Sequence, residues 1–418
     1  MLAEIIQGLA SANFEEQDTA ADKLRALGKH GLSPADGMEA LRAATKSFPA
    51  RSMDWQDSSE DLIKAAAELP RPEYISVVVD NFSLYSKKGK DSALWLLAKL
   101  PQREAAAAYM ELLRRHLRKG EIGRLLVEPL KSEPRHIEVF FPEILEYSEV
   151  EGFEWDINLL LLCYLSQGAI RAETVAVYGE KLLGRYRDCA GKLIHMQKAD
   201  GVAWLWDESY EELRSTGSLY LDLLGYFPES LAQGAVRQAL AFTDPRLKYF
   251  AVMGLIRQGE EVEAKHLVDV GASPEIRNYL FDGLMTLGKL SLFPKEFRTQ
   301  AALAESNMVN WLIFPTELGR APDEIELMHI ATVDRDTEEG PIDYYIFRFR
   351  TFAPHWAAND GWMAGVSGPF IQKDAPSTVS YGDTFSCFEP WDSKTPEEHL
   401  EVVLENLDRW GEAHVNNY

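Results

Sequence analysis

A pattern that returns after 29 residues constrains this chain more than any other feature. RLKYFAVMGLIRQG begins at Arg246. Leu247, Phe250, Ala251, Gly254 and Leu255 fall at i, i+3, i+4, i+7 and i+8, one apolar face of an α-helix. Asp244 suits the N-cap, Pro245 the first helical position, and Gly259 the stop. Twenty-nine residues on, Ser273-Pro274 replaces Asp244-Pro245. Ile276, Tyr279, Leu280, Gly283 and Leu284 replace the apolar set, Arg277 replaces Lys248, and Gly288 replaces Gly259. A small residue on the buried face, at Gly254 and Gly283, lets a neighbouring helix approach closely.

Earlier segments carry related copies. Leu62, Ala65, Ala66, Leu69 and Pro70 match Ala93, Leu96, Leu97, Leu100 and Pro101, 31 residues apart. YLDLLGYFP, ending at Pro228, and DTAADKLRALG, starting at Asp18, are weaker copies. A single helix–turn–helix unit cannot bury its apolar face, so such units must stack. The D-P-R-x-K-x-x-A and S-P-E-x-R patterns resemble HEAT-type helical repeats of the short bacterial variety, most closely over residues 240–290 and more loosely over 10–230. The resemblance implies an α-solenoid of helix pairs with a concave surface, and binding more often than catalysis. The expected architecture is mainly α: a HEAT-like array over residues 1–305 and a small α+β domain over 306–418.

Near residue 310 the pattern shifts from helical to alternating. EIELMHIATV (324–333) and DYYIFRFRTF (343–352) read as strands, the second half-buried with Arg348 and Arg350 on its outer face. GWMAGVSGPF (361–370) is a glycine-rich strand or strand pair, and 378–391 holds another. TPEEHLEVVLENLDRW is a helix capped by Thr395, with Leu400, Val403, Leu404 and Leu407 facing the sheet.

Charge narrows the partners. The chain has 418 residues, 43 Lys+Arg and 66 Asp+Glu, a formal net charge of −23. That opposes free duplex nucleic acid, whose binding rests on Lys and Arg. It favours a basic protein as partner, because opposite charge accelerates encounter. The charge is segregated. From Lys87 to Arg135 there are 12 basic and 6 acidic residues, and from Glu138 to Asp156 there are 7 acidic residues and no Lys or Arg. From Glu317 onward, 20 acidic residues face 7 basic ones. The basic run around Arg114, Arg115 and Arg118 and the acidic run through Glu143, Glu146 and Glu149 are either solvated, internally paired faces or steering patches for a partner. Trp204 and Trp206, within WLWDESYEEL, combine aromatic and acidic character as a contact ridge for a basic protein. Arg348, Arg350, His355, Trp356 and Trp362 are residue types enriched at binding hot spots.

Chemistry-bearing motifs fail on inspection. DRDTEEG (334–340) has acids at calcium-loop positions 1, 3 and 5, but glycine falls at the seventh position and Tyr345 at the twelfth, so it reads as a polar turn. Gly365-Val-Ser-Gly-Pro misses the nucleophile elbow by one residue and reads as a tight backbone approach. Cys387 with His329 or His355 could form a thiol–imidazole pair, and Asp360 and Asp383 share that small domain. The nine histidines show no H-x-x-x-H and the three cysteines no C-x-x-C. No cofactor is implied. Three sparse cysteines read as buried free thiols, the start lacks a basic n-region, and the longest apolar run, Leu159–Leu165, is far too short to span a bilayer. A cytoplasmic protein-interaction module is therefore expected, in its narrower form an immunity or inhibitor protein against a basic toxin. A ligand-binding or catalytic C-terminal domain and a structural adaptor are the alternatives.

Overall fold

The computed structural model of the protein describes residues 1–197, 207–314, 317–333, 340–352, 361–378 and 384–415. It is mainly helical, with one small antiparallel sheet near the C-terminus. The first helices are α1 (Leu2–Leu9), α2 (Phe14–Lys29), α3 (Pro34–Ala43), α4 (Ser58–Ala67), α5 (Tyr74–Asn81), α6 (Lys87–Lys99) and α7 (Arg103–His116). Then come the short α8 (Glu128–Ser132) and α9 (Ile137–Phe140), followed by α10 (Glu154–Ser166) and α11 (Ala176–Gln197). They are followed by α12 (Glu208–Leu224), α13 (Glu229–Ala239), α14 (Pro245–Arg257), α15 (Ala264–Gly271), α16 (Pro274–Thr286) and α17 (Gln300–Leu312). The chain divides into two compact units, Met1–Cys189 with Tyr226–Leu231, and Ala190–Gly225 with Ala232–Tyr418.

The 29-residue recurrence materialises as two helices with the same ending. The Asp244 side chain accepts from the Arg246 and Leu247 amides and so caps α14, with Pro245 at its first turn. Gly259 adopts φ +82° and Gly288 φ +65°, a left-handed conformation that glycine enters without a Cβ clash. In both copies the next residue's amide reaches back five positions, Glu260 to Leu255 O and Lys289 to Leu284 O, which closes the helix end. The copies differ at the start, since the Ser273 side chain makes no capping bond. Apolar positions pack as the periodicity predicts: Leu247, Ala251, Leu255, Ile276, Leu280 and Leu284 are buried. Tyr279, predicted inside, is 45% exposed, and so is Leu69, because α4 stops at Ala67 before it can turn Leu69 inward.

Glycines set the closest helix contacts. A Cβ on Gly225 would lie 2.7 Å from the Gly254 Cα, so α14 and the end of α12 touch backbone to backbone. In the first unit, a Cβ on Gly89 of α6 would lie 2.5 Å from the Ser59 hydroxyl of α4.

Buried cations tie these helices at nearly the repeat spacing. Arg51, with its side chain 3% exposed, donates to Asp18 at 2.8 Å and Asp61 at 2.9 Å. Lys90 reaches Glu121 at 3.0 Å, 31 residues on. Arg277 donates to Gly271 O at 2.8 Å, Ala302 O at 2.7 Å and Glu305 at 2.6 Å, 28 residues on, and its guanidinium lies over the Phe297 ring. A guanidinium taken out of water this completely is tolerated only when its donors are met.

The C-terminal sheet is a meander of β1 (Glu324–Val333), β2 (Ile342–Arg350), β3 (Met363–Ile371) and β4 (Thr384–Pro390), in that order and antiparallel throughout. The glycine-rich segment is one strand. A last helix, α18 (Pro396–Val415), starts with a reciprocal capping box: the Glu398 amide donates to the Thr395 hydroxyl, and the Thr395 amide to the Glu398 carboxylate. Strand β2 differs from the half-buried expectation. Tyr345, Phe347 and Phe349 pack on Ala304, Met308 and Leu312 of α17, while Ile342, Tyr344 and Ile346 pack with Leu400 and Val403 of α18. Two helices cover the sheet, one on each face, so β2 is apolar on both sides except at Asp343, Arg348 and Arg350. The tight approach expected of the Gly365 segment is present: a Cβ on Gly365 would lie 2.6 Å from the Met308 Cε, and Gly368, at φ +142°, sits against the Asp343 carbonyl.

Two stability outcomes are expected. Gly225→Ala forces two backbones apart and should cost about 1–3 kcal/mol, read as a lower urea midpoint at unchanged slope. Arg277→Ala strands Glu305 and two carbonyls and should cost about 3–5 kcal/mol by the same measurement. A loss under 1 kcal/mol would refute the staple role of Arg277.

Candidate functional site

The first candidate surface lies on α7 and the segment that follows α9. Arg114 forks onto Glu143, its Nη2 2.9 Å from both carboxylate oxygens and its Nε 3.0 Å from one, and it also pairs with Glu111. Arg115 bonds Glu111 at 2.6 Å. Arg118 approaches Glu146 at 3.9 Å and lies 5.8 Å from the centre of the Tyr147 ring. Glu149 pairs with Lys181 at 2.6 Å, which holds its carboxyl below the usual range. Arg114, Arg118, Glu143 and Glu146 thus meet in one open groove of about 440 Å³, with Pro142 and Tyr147. The basic and acidic runs neutralise one another there. At the end of α7 the Glu121 carboxylate accepts from Lys90 and sits 2.8 Å from His116 Nδ1; the His116 bond, then Lys90, hold its pKa down to about 2.

A second cluster, on α12, α14 and α16, was not legible in the sequence. Arg214 bonds Glu211 at 2.6 Å and lies 3.3 Å from Glu275 and 3.6 Å from Asp244. The Tyr210 hydroxyl donates to Asp244 at 2.8 Å, so Asp244 serves this network with one oxygen and caps α14 with the other. Burial pushes the Glu275 carboxyl up while Arg214 opposes it. These groups come from three helices, and no local spacing announces the meeting. Arg214 is mostly enclosed by its partners, and the arrangement ties helices together.

The third cluster is on the C-terminal sheet. Arg348 and Arg350 both lie over the Trp362 ring, 4.3 and 4.5 Å from its centre, and pair with Glu326 and Glu324 on β1. Arg348, Arg350 and Trp362 are brought together as one stacked, internally paired ladder. His355, Trp356, Asp360, Asp383, Trp204, Trp206 and residues 334–339 of the acidic turn lie outside the described residues. Cys387 is on β4, but its side chain is not described; His329, its possible partner in the sequence, lies 3.4 Å from Glu397. Cys163 is half-buried and Cys189 buried, and burial pushes the Cys163 thiol up.

The outer face of α18 carries a stripe of exposed carboxylates. Glu397, Glu401 and Glu405 recur every four residues along one stripe, Glu398 lies beside them, and all four are exposed. Within α18 no Lys or Arg stands among them, the first being Arg409. Among the described residues no group of three or more His, Cys, Asp or Glu is placed to hold a metal ion, and no helix is long and apolar enough to cross a membrane. No protein-family model matches the sequence, and no curated protein or solved structure matches it.

The Glu121 bonds set a pH dependence. A carboxyl with a lowered folded-state pKa contributes stability above its unfolded value, near 4.5, and loses it as the pH falls toward 2. Wild type should therefore lose more stability than Glu121→Gln between pH 5 and pH 2.5 in urea titrations. Parallel losses in the two proteins would exclude this contribution.

Proposed function

We propose that this chain is a protein-binding module whose partner is a basic protein, docked on the acidic face of α18. The exposed carboxylate stripe Glu397, Glu401 and Glu405, with Glu398 beside it, carries the reading. A cationic surface gains Coulomb attraction along that stripe and is steered to it before contact. The rest of the chain supports the choice by contrast. Arg114, Arg348 and Arg350 are taken up by internal carboxylates, so the net −23 is carried by acids that these pairs do not neutralise. The same excess repels free duplex nucleic acid.

The helical portion is proposed to be a HEAT-like repeat array. The matched endings at Gly259 and Gly288 support this, as do cross-helix bonds spanning 28 to 34 residues, such as Arg277–Glu305, Arg51–Asp18 and Tyr210–Asp244. In its narrower form the reading is an inhibitor or immunity role, in which the acidic face blocks a basic toxin such as a nuclease.

The test is capture by the tagged full-length chain from native cells at low and high salt, identified by mass spectrometry. A basic protein held at about 50 mM salt and released at about 500 mM, where screening shortens to a few ångströms, is the expected result. Replacing Glu398, Glu401 and Glu405 with Lys should weaken its binding at least tenfold, since each rim charge counts mainly in the encounter. Equal binding by this variant would exclude the α18 face, and a salt-insensitive or acidic partner would exclude the electrostatic reading.

A further inference from the structure

Strand β1 lies at the edge of the sheet and, among the described residues, pairs with β2 alone. Its backbone N–H and C=O groups that point away from β2 meet no other strand there, and such a row is a template for one more strand. Proteins guard edges of this kind with Lys, Pro, brevity or a bulge. β1 is ten residues long. Residues 327–333, LMHIATV, contain no Asp, Glu, Lys, Arg, Pro or Gly. One guard is present, a bulge at Met328, and regular pairing resumes over residues 329–333. The register assigns each side chain to a face. Leu327 lies opposite Phe347 and Ile330 opposite Tyr345, on the side that α17 covers. That cover stops short of the edge, since Leu327 is 39% and Ile330 45% exposed. His329, Ala331 and Val333 lie opposite Ile346, Tyr344 and Ile342, on the side that α18 covers. There Glu397 lies 3.4 Å from His329, and the exposed Glu401 follows one turn on. The carboxylate stripe of α18 therefore begins at β1. The open edge is apolar on one side and acidic on the other.

We infer that β1 takes up an extended segment of the partner as a fifth strand, one in which cationic and apolar residues alternate. This rests on the reading of the α18 stripe as the docking face for a basic protein, and it adds how that protein is held. Successive side chains of a strand point to opposite faces. A segment laid along β1 thus turns one set toward Leu327 and Ile330 and the other toward Glu397. The first set gains by covering apolar surface, the second by opposite charge, and the main chain supplies the hydrogen bonds. A second copy of this chain suits the edge less well. In an antiparallel pair of β1 strands the two α18 helices fall on the same face of the joined sheet, so their carboxylates repel one another.

The experiment is calorimetric titration of the full chain, at about 50 mM salt, with a peptide of about ten residues that alternates lysine with valine. Two further copies of the peptide are N-methylated, one on its lysine amides and one on its valine amides. In a strand these two sets of N–H groups point to opposite edges, so only one set can face β1. Saturable binding of the unmodified peptide is expected. One methylated copy should bind at least about fivefold more weakly, through lost main-chain bonds, and the other within about twofold of the parent. Leu327→Ser with Ile330→Ser trims exposed side chains only and should weaken the parent peptide at least about threefold. Glu397→Gln with Glu401→Gln should do the same through charge. No saturable binding, or equal effects of the two methylations, would overturn strand addition, while the α18 face is judged separately by the capture experiment. Alternating methylation effects with no response to Glu397→Gln and Glu401→Gln would keep the added strand and overturn its cationic side. A dimer of the chain alone, dispersed by Leu327→Ser with Ile330→Ser, would give the edge to a second copy and overturn the partner strand.

Discussion

The helical framework depends on buried cations whose every bond is to a neighbouring element. Arg277 is the fullest case: its side chain is 4% exposed, and its donors go to carbonyls at the end of α15 and in α17 and to the Glu305 carboxylate. A dehydrated guanidinium is costly unless all these acceptors are in place, so it admits few arrangements of the three helices. Apolar packing alone is more permissive, since helices can slide along one another at small cost in buried area. Arg51 and Lys90 act in the same way in the first unit. The glycine contacts complete the constraint by setting how near the helices come: where Gly225 meets Gly254, no side chain separates the backbones.

The sheet obeys a different rule. Its two faces are closed by helices that flank the strands in sequence, α17 before them and α18 after them. Strand β2 is therefore apolar on both faces for most of its length; Asp343 bonds Thr332 and Gln372 near its start, and Arg348 and Arg350 stand at its end. There the charges are met by Glu326 and Glu324 directly across the ladder, in register with them, and by the Trp362 ring. Opposite charges facing one another across two strands reinforce the register that the apolar faces set.

Charge is arranged with the same economy over the surface. Long cationic side chains of the basic run reach across to acids distant along the chain, as Arg114 does to Glu143, 29 residues on. Exposed carboxylates then recur along the outer face of α18, at Glu397, Glu401 and Glu405.

Local order was legible in the sequence. The Asp244-Pro245 start, the Gly259 and Gly288 stops, the bounds of β1 and the Thr395 cap each follow from a few neighbouring residues, and the structure places all of them as read. These features depend on backbone conformations and short-range bonds, which nearby residue types specify. What the sequence left open required residues distant along the chain. The burial of β2 on both faces needed α17, the Arg214 network needed three helices, and the fate of the basic run needed the acids of the following segment. A hydrophobic period states which face of an element is buried, but it carries no information about which partner buries it. That choice is made by shape and by the pairing of buried charge, and only the tertiary structure fixes both.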